Sequence, residues 1–282
     1  MARMAGAQAD PTGELDWIQT MVAGRPARYG VAGAGPTVVF LHGWGLSQRA
    51  YRKALKRLVD GHMRVYAPAM PGFGSADLPR DERDLPGFAR WLDRFMDAVG
   101  LVQPVTLVGH SFGGGVAIQT AYDWPSRVAR LVIINSIGGS AWSRGGVVRS
   151  IRERPLWDWG LHMQADLLPF RQITRVLPVI AADAVPNLLR RPGPVWRVAK
   201  LARLADLTGE LEELKRRRLP VVILWGRSDT VIPYASLESL RAALGDPEVI
   251  TVPGSHTWLL ADPENFGEVM TNVMRAVDVR AD

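Results

Sequence analysis

The sequence predicts an α/β protein with a mostly parallel, doubly wound sheet and an inserted helical segment, and three observations support this class. Apolar runs alternate with amphipathic helical patterns along residues 37–134, which favours parallel strands joined by right-handed crossovers. The alternation stops at residues 138–208, where helical segments are interrupted by six prolines. It resumes from residue 219, and several strands end in glycine-containing loops, where reactive groups of such sheets collect.

The individual elements follow in chain order from these patterns. Two runs separated by Ala-Gly-Arg-Pro predict a hairpin at 15–22 and 27–31. Apolar and β-branched runs predict strands at 37–41, 64–67, 105–108, 131–134, 219–225 and 248–252. Helical spacing predicts helices at 48–59, 85–99, 234–244 and 263–277. A further helix is expected after Ser111 and its glycines, and Trp124-Pro125 should end it. We therefore divide the chain into a flexible tail (1–14), a core (15–137 and 209–282) and a helical cap (138–208).

Composition limits the classes of function. The 282 residues are 47% hydrophobic and include no cysteine, which excludes disulfides, thiol nucleophiles and cysteine-ligated metal sites. No apolar run reaches the roughly 18–20 residues that a membrane span needs. The first residues also lack a secretory pattern, so a soluble, cytoplasmic protein is expected.

The net charge of +6 is unevenly placed. Residues 138–219 carry 15 Arg and Lys against 8 Asp and Glu (+7), and the remainder carries 19 against 20 (−1). This basic segment is either an ordinary solvated surface or a face attracted to anionic substrates or lipids, so weak peripheral membrane contact is one expectation. No motif for nucleic-acid binding is present, and no nucleic-acid partner is expected.

Ser111 is the candidate nucleophile. It stands at a predicted strand-to-helix corner, with Gly109 two residues before it and Gly113 two residues after. A corner this sharp strains the backbone of the serine and leaves room only for very small neighbours. The hydroxyl also lies at a helix N-terminus, whose positive dipole end favours the negative charge of an acyl-transfer intermediate.

A serine hydroxyl needs a base, and an imidazole oriented by a carboxylate can supply it. Of the five histidines, His256 follows the last predicted strand, at the sheet edge where Ser111 is expected. Asp229 also follows a strand at that edge. Asp262 is a rival, but it directly precedes Pro263 and is better explained as a helix cap.

The loop after the strand at 37–41 is a candidate oxyanion site. Gly43 and Gly45 allow this loop to approach a neighbouring strand end closely, which leaves the backbone N–H of Trp44 to donate to a developing oxyanion. The alternative is a purely structural turn.

Taken together, these motifs resemble the α/β-hydrolase family in its capped form. They are HGWG at 42–45, PGFGS at 71–75, GHSFGG at 109–114, GRSD at 226–229 and GSH at 254–256. The resemblance covers residues 15–277 and implies an eight-stranded, mostly parallel sheet with Ser111, Asp229 and His256 as triad. It implies an oxyanion hole formed by the backbone N–H groups of Phe112 and Trp44, and no metal or organic cofactor.

The resemblance also narrows the reaction. Serine at the corner separates the chain from epoxide hydrolases and haloalkane dehalogenases, which resemble it but use aspartate. His110 and Thr257 stand where relatives that cleave carbon–carbon bonds often have asparagine and tryptophan. The leading expectation is therefore a serine hydrolase that cleaves a largely apolar, small-molecule or lipid-like carboxylic ester through an acyl-enzyme. The alternatives are a carbon–carbon bond hydrolase on the same triad and a non-hydrolytic ligand receptor.

Overall fold

The computed structural model describes residues 13–73, 83–144, 147–155, 158, 162, 170–190 and 192–278. Most of the predicted tail at 1–14 lies outside these residues, as do the end of the loop at 71–75 and two tryptophans of the predicted cap, Trp157 and Trp159.

The elements of the described residues alternate through most of the chain. The strands are β1 (Asp16–Val22), β2 (Arg25–Ala32), β3 (Thr37–Leu41), β4 (Arg64–Pro68), β5 (Val105–His110), β6 (Val128–Ile134), β7 (Ala141–Arg144), β8 (Val147–Ser150), β9 (Val221–Gly226) and β10 (Glu248–Val252). The α-helices are α1 (Arg52–Asp60), α2 (Leu85–Ala98), α3 (Phe112–Asp123), α4 (Phe170–Arg190), α5 (Pro192–Leu204), α6 (Thr208–Arg216), α7 (Tyr234–Leu244), α8 (Trp258–Ala261) and α9 (Pro263–Asp278). A 3₁₀ helix, Gln48–Tyr51, leads into α1.

An eight-stranded sheet forms the centre of the molecule, in the order β1-β2-β4-β3-β5-β6-β9-β10. Strand β2 pairs antiparallel with both of its neighbours, β1 and β4. All pairs from β4 to β10 are parallel, so the carboxyl ends of these strands share one edge. The predicted eight-stranded, mostly parallel sheet is confirmed.

Side chains of β3 show why its apolar run is continuous. Val39 and Leu41 belong to the hydrophobic cluster on one face of the sheet, and Val38 and Phe40 belong to the cluster on the other. Successive side chains of a strand point to opposite faces, so a strand covered on both faces needs apolar residues throughout.

Helix α2 illustrates how the sheet is covered. Asp84 precedes it, and its carboxylate accepts a hydrogen bond from Gly87 N at 2.8 Å, which fixes where the helix begins. Phe88, Trp91 and Phe95, spaced at helical intervals, are buried in the core. The face of α2 that carries them therefore packs in the core.

The segment at 138–208 differs from the expected run of helices. It begins with an antiparallel hairpin, β7–β8, in which Ala141 pairs with Ser150. The Gly-Gly dipeptide of the sequence between these strands is a hairpin signal. Pro178 and Pro186 were expected to interrupt the helices, and that expectation was wrong, because both lie inside α4. A proline removes a helix hydrogen bond, and Pro178 lies on an exposed face where water can replace it.

This segment leaves the core and returns to it at one place. Leu207 N donates to Gly138 O at 2.9 Å, and Gly138 also forms a parallel bridge with Asp206. The division of the chain into core and cap at 138–208 stays a prediction.

Polar contacts hold the insertion against loops at the carboxyl edge of the sheet. The indole Nε1 of Trp44 donates to Val195 O at 2.8 Å, and Ser47 Oγ donates to Asp183 Oδ1 at 2.7 Å. Within the described ranges, no helix combines the length and apolar character needed to cross a membrane.

Candidate active site

Ser111 lies in a strained corner between β5 and α3. Its φ of 55° and ψ of −116° are values that a non-glycine residue rarely adopts. A Cβ added at Gly109 would lie 2.4 Å from Gly113 O, and one added at Gly113 would lie 2.3 Å from Leu41 O. Both glycines are therefore required by close backbone approach, as the sequence predicted.

Phe112 follows the serine as the first residue of α3. As the first N–H group of the helix, its N–H has no acceptor within the helix. Among the described residues, no acceptor bonds this N–H. The Phe112 side chain is fully buried against Phe73 and Phe88, which fixes the start of the helix.

His256 and Asp229 are brought together at the edge where Ser111 lies. Nδ1 of His256 donates to Oδ2 of Asp229 at 2.9 Å, and the Asp229 side chain is fully buried. A carboxylate without a proton can only accept, so Nδ1 carries the proton and Nε2 is the basic nitrogen of the neutral ring.

The Asp229 carboxylate is held by further donors from its own loop. Oδ1 accepts from Val231 N at 2.8 Å and from Ile232 N at 3.0 Å. Arg154, from the insertion, donates from Nη1 to Val231 O at 2.6 Å. That carbonyl and the Ile232 N–H belong to one peptide unit, so the Arg154 guanidinium polarises a group that bonds Asp229.

Asn135 is a residue of this site that the sequence reasoning missed. Its Nδ2 donates to Asp229 Oδ2 at 2.5 Å, and its Oδ1 accepts from Trp258 Nε1 at 2.9 Å and from Gly226 N at 3.2 Å. Asn135 is fully buried and has a φ of 44°. Its position in the sequence could have indicated it. Asn135 is a polar residue directly after the buried strand β6, and such a residue lies at the carboxyl edge of the sheet.

The loop after β3 lies beside the nucleophile. A Cβ added at Gly43 would lie 3.4 Å from Ser111 Cβ, so this loop approaches the serine as closely as the glycine pattern predicted. Gly45 has a φ of 81°, which lets the loop turn away after Trp44. The assignment of the Trp44 N–H to an oxyanion hole stays a prediction.

The other candidate groups have structural partners. His42 is fully buried: its Nε2 accepts from Met70 N at 3.0 Å, so its Nδ1 carries the proton and donates to Gly43 O at 2.9 Å. Burial lowers the pKa of His42 to about 4. Asp262, the rival acid, accepts from Asn265 N at 3.2 Å in the first turn of α9, as expected of a helix cap. Over the described part of the chain, no group of His, Asp and Glu side chains is arranged to hold a metal ion.

Comparison with known proteins gives a consistent result. The family model described as "Alpha/beta hydrolase family" matches residues 38–269. The chain is 26% identical over 281 residues to an uncharacterized protein of Mycobacterium tuberculosis, covering 90% of this chain and 79% of that protein. It is 29% identical over 257 residues to the pimeloyl-[acyl-carrier protein] methyl ester esterase of Aeromonas salmonicida, covering 84% of this chain and 95% of the esterase.

A solved structure gives the same fold. An esterase from Exiguobacterium antarcticum superposes with a TM-score of 0.73 at 18% identity, covering 91% of this chain and 98% of the esterase. At this level of identity the likeness shows the fold alone.

Proposed function

This chain belongs to the α/β hydrolase family, and from that premise we propose that it is a serine hydrolase cleaving a carboxylic ester of a small, largely apolar or lipid-like substrate. The observation that carries the proposal is the buried 2.9 Å hydrogen bond between His256 and Asp229, at the sheet edge where Ser111 occupies its strained corner. Nucleophile, base and orienting acid are the three groups that this chemistry requires.

In the proposed reaction, Ser111 Oγ attacks the ester carbonyl carbon while its proton passes to Nε2 of His256. The bond to the alcohol then breaks, and the departing alcohol takes that proton from His256. Water next gives a proton to His256 and attacks the acyl carbon, and the carboxylic acid leaves as Ser111 Oγ recovers the proton. The N–H groups of Phe112 and Trp44 are assigned to the oxyanion of both tetrahedral intermediates.

Residues 138–208 are assigned as the cap that shapes the substrate pocket. Contacts of Val195 with Trp44 and of Asp183 with Ser47 support this assignment, because both join the insertion to the loop assigned to the oxyanion. The Aeromonas salmonicida relative is named as a methyl ester esterase, which supports an ester as the substrate class.

Turnover of p-nitrophenyl esters of increasing chain length tests the proposal. Ser111→Ala should lower turnover by about 10⁴- to 10⁶-fold with the fold intact, and the rate of the intact chain should fall in acid as the His256 imidazolium forms. Ser126→Ala, at an exposed position outside the site, is the matched control and should keep full turnover. Near-normal turnover by the Ser111 variant would reject the proposal.

Two further measurements separate the alternatives. Labelling of Ser111 by a fluorophosphonate probe is expected of an active nucleophile, whereas tight ligand binding without labelling or turnover would favour a receptor. Faster cleavage of vinylogous 1,5-diketones than of aryl esters would favour a carbon–carbon bond hydrolase.

A further inference from the structure

Two buried side chains with no role in the proposed reaction, Tyr51 and His110, form a continuous chain of hydrogen bonds. Gly43 N lies 3.1 Å from Tyr51 Oη, and Tyr51 Oη lies 2.8 Å from His110 Nδ1. On its other side, His110 Nε2 lies 2.9 Å from the backbone oxygen of His256. Tyr51 is 0% exposed and His110 is 2% exposed, so both groups are shielded from water.

The direction of each bond follows from its partners. The carbonyl of His256 can only accept, so Nε2 of His110 carries a proton and donates. Burial lowers the pKa of His110 well below its ordinary value, so the ring is neutral and its Nδ1 accepts from the Tyr51 hydroxyl. Burial also raises the pKa of Tyr51, which keeps the phenol protonated. The Tyr51 oxygen is then the acceptor for Gly43 N–H.

The two ends of this run of hydrogen bonds, Gly43 and His256, are parts of the proposed active site. Gly43 precedes Trp44, and a Cβ added at Gly43 would lie 3.0 Å from both Tyr51 Oη and His110 Nδ1. At the other end, the rings of His110 and His256 lie against each other with centroids 4.9 Å apart. His110 is itself the residue before Ser111. The run of hydrogen bonds therefore joins the loop after β3 to the backbone of His256, and it passes beside Ser111.

We propose that Tyr51 and His110 are positioning residues, which fix the distance between the oxyanion loop and His256 through the bonds to Gly43 N and His256 O. The proposal rests on the proposed serine hydrolase function. Without these bonds, the loop and the base shift independently, and a misplacement of about 1 Å at such groups costs roughly 100-fold in rate.

The test compares Tyr51→Phe, His110→Leu and His110→Gln with the intact chain. Each of the first two removes two of the three hydrogen bonds, whereas the glutamine amide can still donate to His256 O. We expect Tyr51→Phe and His110→Leu to lower kcat for a p-nitrophenyl ester and the fluorophosphonate labelling rate of Ser111 by about 10- to 100-fold, with KM unchanged. His110→Gln should retain more of both rates than His110→Leu.

Matched controls separate positioning from a general loss of structure. Tyr122→Phe makes the same chemical change at an exposed position near the far end of α3 and should leave both rates unchanged. Circular dichroism and thermal unfolding identify any variant that is not folded. If His110→Leu does not fold, Tyr51→Phe decides the question.

The pH dependence of labelling gives a readout that distinguishes positioning from tuning of the base. The plateau should fall in Tyr51→Phe, while the pH of half-maximal rate stays constant, because the bond between His256 and Asp229 is untouched. Unchanged rates in folded variants would overturn the proposal, as would a shifted midpoint at an unchanged plateau. Full labelling and turnover by Ser111→Ala would instead overturn the proposed function itself.

Discussion

Replacing Asn135 by alanine removes a side chain that bonds the loop of Asp229, strand β9 and helix α8 together. Its Oδ1 accepts from the Gly226 N–H and the Trp258 indole N–H, and both donors stay buried when the amide is lost. Its Nδ2 also donates to Asp229, so the same change loosens the carboxylate. We therefore expect a large loss of stability together with a lower labelling rate at Ser111.

The size of the loss follows from these contacts. A buried donor left without a partner costs about 1–3 kcal/mol, so the two donors together cost about 2–6 kcal/mol. Alanine at the φ of 44° of Asn135 adds about 1–2 kcal/mol of backbone strain, which glycine at the same position avoids. Because a typical domain is stable by only about 5–15 kcal/mol, Asn135→Ala approaches the limit of folding.

Urea unfolding followed by tryptophan fluorescence measures these differences. Asn135→Gly should lose about 2–6 kcal/mol and Asn135→Ala about 1–2 kcal/mol more, since only alanine carries the strain. Asn272→Ala, at an exposed position of α9, is the control and should change stability by less than about 0.5 kcal/mol. If the glycine variant at Asn135 unfolds within about 0.5 kcal/mol of the intact chain, the reasoning from buried donors is wrong.

Three other predictions test the glycine corner, a buried histidine and the insertion. A Cβ at Gly113 would lie 2.3 Å from a backbone oxygen, so Gly113→Ala should lower the free energy of unfolding by about 3 kcal/mol or more. Gly209→Ala is the control: no atom lies within 4 Å of its new Cβ, and it should be neutral or stabilising. Equal effects of the two variants in urea unfolding would contradict this prediction. The pKa of His42 is about 4 in the folded protein and about 6.5 in the unfolded chain, so below pH 6.5 the unfolded state binds the proton more readily. The contribution of neutral His42 to the free energy of unfolding is therefore complete above about pH 6.5. About 3 kcal/mol of it is lost as the pH falls toward 4. His42→Asn should flatten that part of the stability profile, and an unchanged slope between pH 7 and 4 would refute the assignment. Arg154→Met removes the guanidinium partner of the buried Asp158 carboxylate and should cost about 3 kcal/mol. Arg154→Met/Asp158→Leu should restore the part that comes from the unpaired carboxylate, but not the lost bond to Val231 O. A neutral single variant would contradict a structural ion pair.

Many strands and helices of the core could be predicted because the spacing of apolar residues along the sequence is local information. The expected bounds 37–41, 234–244 and 248–252 coincide with those of β3, α7 and β10. Helix α6 was not predicted, because it is mostly charged and buries only Leu211 and Leu214 among its nine residues. A face that narrow gives little periodic signal.

The site could be predicted only in part. Ser111, Asp229 and His256 follow strands in glycine-containing loops, so their shared edge follows from parallel pairing. Asn135 and Tyr51 carry no such motif. Asn135 bonds Asp229, 94 residues further along the chain, and the direction of its amide is set by a tertiary contact that no local spacing encodes.

The hydrogen bond from Leu207 to Gly138 holds the two ends of the inserted segment together, so segments of different sequence could be joined to the core there. Gly138 and Leu207 lie side by side, so a segment of another length can join them without moving the strands on either side. The entropy of closing such a loop rises only slowly with length, by about 0.6 kcal/mol for each doubling. Grafting a different segment between Gly138 and Leu207 should therefore change the residues that contact Trp44 and Ser47 while leaving the strand pairing of the sheet unchanged.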